Sequence, residues 1–166
     1  IDTHYQQSIK NGWLPDYSKT PWKMAIMAGH NTANWRAAGT RFRKTVLAKL
    51  ETIVTMTPDM SVTAMYSDYV LPVAQHYERR DFVQEGRTPY VQVLDQAVPP
   101  LGESADDWTI MERLAKSISA KARARQLPPI KDVVFGQPIT HDYARLHELF
   151  TLNGKITNSR DLAQFL

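Results

Sequence analysis

The hydrophobic positions of this chain fall into short runs separated by polar turns. Lys23-Met-Ala-Ile-Met-Ala28 is continuous, mostly apolar and ends at Gly29, the pattern of a strand buried on both faces. Arg41 to Leu50 then places Val46, Leu47 and Leu50 on one helical face, and the spacing predicts a helix over 39–50. A short turn leads to Ile53-Val-Thr-Met56, a second buried strand. Strand, loop, helix and strand make a βαβ crossover, which implies parallel pairing and a right-handed connection. Ser61 to Tyr66 reads as a short helix with Ser61 as N-cap. Tyr69-Val-Leu71 reads as a third strand closed by Pro72. Residues 73–89 are polar and loop-like around Glu85-Gly86-Arg87, and Tyr90-Val-Gln-Val-Leu94 alternates as a strand does.

The clearest element is a long helix over 105–126. Trp108, Met111, Leu114, Ala115 and Ile118 form its apolar stripe, and Leu127-Pro-Pro129 stops it. Ser104 followed by Asp107 resembles a capping box with Asp in place of the usual Glu or Gln. Beyond it the pattern predicts a helix around His141–Leu149, a turn at Asn153-Gly154 and a terminal helix capped by Ser159. The expected organisation is an incoming connection over 1–21, an α/β portion over 22–126 and a peripheral helix-and-loop segment over 127–166. The fold class is therefore α/β, a parallel-centred sheet flanked by helices.

Composition adds exclusions. At 166 residues and 43% hydrophobic content the chain is about one domain with an ordinary globular core. The net charge is +3 and the pI about 9.2. The basic clusters Arg41, Arg43, Lys44 and Lys121, Arg123, Arg125 lie on predicted helices, where solvated faces account for them. Basic and aromatic residues do not interleave as in nucleic-acid binders, so no nucleic-acid partner is expected. The absence of cysteine excludes a disulfide framework, a Cys-ligated metal and a thiol nucleophile within this stretch. No run approaches the roughly 20 apolar residues of a membrane span. The start at Ile1, without a leader, reads as a cut through a longer polypeptide.

Three places carry candidate chemistry. Gly29-His30-Asn31 lies at the carboxyl end of the first strand, where parallel sheets bind ligands. Gly29 lets a ligand approach the backbone, and Asn31 offers a donor and an acceptor; alternatively Asn31 caps the next segment of a plain turn. Asp107 could accept two N–H groups of guanine through its paired oxygens, or cap its helix; the same lone pairs cannot fully serve both. Ser67-Asp68 could bind a ligand or hold its own loop amides. Arg87, after a glycine, could meet a phosphate or a carboxylate elsewhere in the chain. The histidines at 4, 30, 76, 141 and 147 show no metal-ligand spacing. Trp13, Tyr17, Trp22 and Trp35 read on their own as core or interface.

In order along the chain, Gly29-His30-Asn31, Glu51-Thr-Ile-Val-Thr-Met56, Thr63-Ala-Met-Tyr-Ser-Asp-Tyr-Val-Leu-Pro72, Tyr77-Glu78-Arg79, Glu85-Gly86-Arg87 and Asp106-Asp107-Trp108 resemble the molybdopterin oxidoreductases of the dimethyl sulfoxide reductase family. The resemblance covers roughly residues 22–120. Tyr66-Ser-Asp68 and Tyr77-Glu78 are similar to the branch that includes nitrate, selenate, chlorate and perchlorate reductases and the ethylbenzene, dimethyl sulfide and steroid side-chain dehydrogenases. Thr32 departs from the proline often found after the Gly-x-Asn of that family.

That resemblance implies a fragment of a molybdenum-dependent catalytic subunit, not active alone, binding one guanine dinucleotide tail of a bis-molybdopterin cofactor. Gly29, His30, Asn31, Trp35, Asp68 and Asp107 would be its cofactor contacts, and no catalytic or metal-ligating residue is expected in this stretch. The implied partners are the remainder of the catalytic subunit and an iron–sulfur electron-transfer subunit, with any iron–sulfur cluster outside this chain and no direct membrane insertion. The branch favours a periplasmic over a cytoplasmic location. A different class also fits the residues: a non-catalytic scaffold domain of the same fold in an electron-transfer assembly.

Overall fold

A computed structural model describes residues 2–35, 37–87, 89–134 and 136–163. They fall into two compact units, one within residues 1–70 and 134–137, the other within 71–133 and 138–166.

The first unit opens with helix α1 (Asp2–Lys10), which the turn-rich composition of this segment did not predict. Gly12 ends it: with φ at +73° it lets Trp13 N donate to Ser8 O and its own N to Ile9 O, the reversed turn that satisfies the last carbonyls. Strand β1 (Met24–Ala28) then pairs in parallel with β2 (Thr52–Thr57), Met24 opposite Thr52 and Ala28 opposite Met56. Between them lie two helices, α2 (Thr32–Trp35) and α3 (Gly39–Thr45), and a 3₁₀ turn at Leu47–Lys49. The predicted helix over 39–50 is therefore interrupted at Val46. After β2 come α4 (Val62–Met65) and β3 (Tyr69–Pro72), giving a three-stranded sheet in the order β1-β2-β3.

The core of this unit is Ala33, Leu47 and Ile53, with Met27, Phe42, Leu50 and Val62 packed against it. Gly39 is required there by proximity, since a Cβ on it would lie 2.6 Å from Ala33 O. Strand β2 is buried on both faces, as its sequence predicts. Strand β1 is not. Its inner residues Ala25 and Met27 are partly covered, whereas Met24 is 53% and Ile26 41% exposed, because no described element lies over that face of this edge strand.

In the second unit the chain leaving β3 keeps pairing: Val73 and Ala105 form a parallel bridge, with Ala74 N donating to Ala105 O at 2.9 Å and Ala105 N to Pro72 O at 3.2 Å. The segment read as loop contains a 3₁₀ turn at His76–Glu78 and a strand, β4 (Asp81–Gln84), antiparallel to β5 (Val91–Leu94). Only pairing with β5 makes β4 a strand, so its own four residues carry little signal. Helix α5 (Asp107–Ala124) buries Ala115, Ser119 and Ala122 and is closed by Gln126 at φ +52°, ahead of Pro128-Pro129. Strands β6 (Ile130–Val134) and β7 (Gln137–His141) form a further two-stranded sheet. Helix α6 (Leu146–Phe150) lies on α5: His147 N donates to Ser119 Oγ at 2.9 Å, and the Trp108 and Phe150 rings are 5.4 Å apart. Helix α7 (Ser159–Leu162) is capped by Asn158, whose side chain accepts from Asp161 N, and not by Ser159.

The asymmetry between the two strands is testable. Met56 is 2% exposed, so Met56→Ala should lower stability by about 2–5 kcal/mol. Ile26→Thr, on the open face of β1, should change it by about 0.5 kcal/mol or less. Urea unfolding of both variants checks this, and equal losses would contradict the burial described.

Candidate functional site

Because β1 and β2 are parallel, the loops leaving Ala28 and Thr57 emerge at the same edge of the sheet. Gly29 turns the first loop at φ +64°, with no atom within 4 Å of the position a Cβ would take. Conformation, not crowding, is what calls for glycine here. The backbone carbonyl of Asn31 accepts from Asn34 N and Trp35 N at 3.0 and 2.9 Å and so starts α2. Its side chain goes elsewhere. Asn31 Oδ1 accepts from Thr63 N at 3.1 Å and from the Thr63 hydroxyl at 3.0 Å, inside the first turn of α4. Thr63 Oγ1 in turn accepts from Ala33 N at 3.0 Å, inside the first turn of α2.

Two short helices, 30 residues apart in the chain, thus cap each other. Each has amide groups at its start that need acceptors, and each takes one from the other's side chain. Ser61 Oγ adds a local cap by accepting from Ala64 N at 3.2 Å, as its position predicts. Thr63 and Ala33 are fully buried, and Ala64 nearly so. A backbone N–H can only donate, so the oxygen of the Asn31 amide is the atom on Thr63 and its NH₂ is on the other branch. The acceptor read from the sequence is therefore used internally, and what Asn31 presents is a pair of donors.

Around this clasp, His30 is exposed and meets the Trp35 ring edge-on at 5.9 Å. Trp35 is 66% exposed. Trp13 and Trp22 are also largely exposed, Trp22 packing edge-on against Tyr17 at 4.9 Å, so none of these three indoles is core. Arg43 reaches back to Ala33 O at 2.9 Å and lies 5.3 Å over the Tyr66 ring, which ties α3 to α2 and α4. Asp68 is tied to strand β2 and not to the amides of its own loop. Asp68 Oδ2 accepts from Ile53 N at 2.7 Å and Asp68 N donates to Ile53 O at 2.9 Å. Ile53 is the second residue of β2, so Asp68 sits at the opposite end of that strand from the Asn31–Thr63 clasp.

In the second unit the cap of α5 is Asp106, not Ser104. Asp106 Oδ1 accepts from Thr109 N at 2.7 Å and Oδ2 from the Thr109 hydroxyl at 2.8 Å, while the Ser104 hydroxyl donates to Leu101 O. Asp107 becomes the first residue of the helix, with its carboxylate relieved of capping. That carboxylate pairs instead with Arg79: Arg79 Nη1 donates to Asp107 Oδ2, and Nη2 lies 3.1 Å from Asp81 Oδ2. The Asp107 side chain is 44% exposed and that of Arg79 15%. Arg87 is exposed in the turn after β4.

Sequence reasoning gave no role to Thr63 or Arg79. Their partners lie 32 and 28 residues away, and no local spacing announces either pair.

Residues 5–117 match the family model described as Molybdopterin oxidoreductase. The chain is 32% identical over 161 residues to the dimethylsulfide dehydrogenase subunit alpha of Rhodovulum sulfidophilum, covering 96% of this chain and 17% of that protein. It is 35% identical over 153 residues to the respiratory nitrate reductase subunit alpha of Haloferax mediterranei, covering 84% and 15%. With the chlorate reductase subunit alpha of Ideonella dechloratans it shares 29% over 168 residues, covering 100% and 18%. The chain thus spans less than a fifth of the length of each of these relatives.

Asn31 is open to a clean test of the clasp. Asn31→Ala removes the acceptor from both Thr63 donors and should cost about 1–3 kcal/mol. Asn31→Asp keeps that acceptor and loses only the amide donors, so it should cost clearly less. Chemical denaturation of the two variants compares them, and an equal loss would contradict the assigned amide orientation.

Proposed function

Since the chain belongs to the molybdopterin oxidoreductase family, we propose that it is a portion of a catalytic alpha subunit that helps to bind a guanine dinucleotide tail of a bis-molybdopterin cofactor. The observation that carries this reading is the Asn31–Thr63 clasp. It holds a glycine turn and a pair of amide donors at the carboxyl edge of parallel strands, where anionic nucleotides bind in such sheets. The residues fit the group. Gly29 leaves open space for a phosphate or ribose to approach the main chain. Asn31 Nδ2 supplies donors to their oxygens, and Trp35, braced by His30, presents an exposed indole face. Asp107, in its own unit, offers acceptor oxygens to the N1–H and 2-amino group of guanine, because Asp106 carries the cap.

When bound, the cofactor supplies two-electron oxygen-atom transfer or hydroxylation at molybdenum. This chain's residues bind and orient it. The parent enzyme works with an iron–sulfur electron-transfer subunit, as the resemblance implies.

The full-length subunit carrying Asp107→Ala should retain clearly less molybdenum and releasable GMP than the wild type, since one lost bidentate pair lowers affinity roughly five- to 150-fold. Metal analysis and nucleotide release on the purified variant measure this. Unchanged loading would remove Asp107 from the site.

A further inference from the structure

Arg79 has no task in the function proposed above, yet its guanidinium meets two carboxylates and a histidine. Its guanidinium is largely buried and joins two carboxylates on different elements: Asp107 on the first turn of α5 through Nη1, and Asp81 at the start of β4 through Nη2 at 3.1 Å. Nη2 also lies 3.4 Å from His76 Nδ1. The Val73–Ala105 bridge brings these segments together, since Arg79 follows one strand of it by six residues and Asp107 the other by two. Resting on the assignment of Asp107 to guanine, we propose that Arg79 is a positioning residue that fixes the plane of the Asp107 carboxylate for reading the guanine edge.

The chemistry follows from the fork of the guanidinium. Its N–H groups leave a rigid plane in set directions, so holding Asp81 with one nitrogen fixes where the other points. Asp81 is itself anchored, opposite Leu94 in the β4–β5 pair. Asp107 Oδ2 is thereby pinned and the carboxylate can no longer spin freely. Oδ1 and the second lone pair of Oδ2 remain to accept. Guanine presents its N1–H and 2-amino donors side by side in one plane, and a carboxylate already held in a plane loses less freedom on meeting them. Two carboxylates share one guanidinium, so the cluster keeps the negative charge that those donors require.

Among the described residues, Arg79 Nε is the buried side-chain polar atom without a hydrogen-bond partner. Buried donors in native structures are nearly always satisfied, and here the guanidinium is oriented by its two carboxylates at the expense of that N–H.

The test uses the full-length alpha subunit purified free of cofactor, titrated calorimetrically with GDP and with IDP, which lacks the 2-amino group. Wild type should prefer GDP by roughly five- to 150-fold, the range of one bidentate base contact. Asp107→Asn should abolish that preference. Arg79→Ala should bring it to within about threefold of unity while leaving IDP affinity, carried by phosphate and ribose, within about threefold of wild type. Arg79→Lys, which keeps the charge and loses the fork, should lower the preference to an intermediate value and covers the case in which the alanine variant does not fold. Variants of Arg79 that keep the full preference, or that weaken GDP and IDP equally, overturn the positioning role. A wild type without preference, or an Asp107→Asn variant that keeps it, overturns the guanine assignment itself.

Discussion

The exchange of caps between Asn31 and Thr63 is the interaction on which the first unit's edge depends. Short helices are weak by themselves, because ordering one turn fixes several residues for very few hydrogen bonds. Helices α2 and α4 have four residues each. They persist because each supplies an acceptor to the other's first turn, and because Ala33 and Thr63, fully buried at the contact, leave no room for water to compete. One consequence is structural: the loops after β1 and β2 are fixed relative to each other. Another is chemical: an asparagine is converted into a donor of known direction beside a glycine turn.

The second unit solves a similar problem with charge. A parallel bridge sets the α5 N-terminus beside the chain leaving β3, and adjacent aspartates divide the work there. Asp106 takes the helix amide and Asp107 takes the guanidinium. Had one carboxylate to do both, it would have little acceptor capacity left for a ligand. The neighbouring pair removes that conflict.

Much of the fold was legible because it is written in local periodicity. The run Ile53–Met56, the Ser61 cap, the strand at Tyr69 and the stripe of α5 all depend on neighbours within a few residues. Strand β4 was illegible because its partner lies beyond a polar turn, and the α5 cap was misplaced because Ser104–Asp107 and Asp106–Thr109 share the same three-residue spacing. Only the pairing of Ala105 decides between them. At the site, Gly29 and Asn31 were visible as residue types at a strand end. Which atoms of Asn31 remain to be offered was not, since that is set by Thr63, far along the chain. Asp68 is a similar case: that one of its oxygens accepts from the amide of Ile53, 15 residues away, is written in no local spacing.

One measurement bears most directly on this account: molybdenum and released guanine nucleotide per mole, with intact mass, on the protein purified from its native source. A catalytic subunit built as proposed gives a chain much longer than 166 residues, carrying molybdenum and about two guanine equivalents from its bis-molybdopterin cofactor. A protein that carries neither molybdenum nor guanine nucleotide would contradict it, and would leave the clasp and the Arg79–Asp107 pair as parts of a scaffold alone.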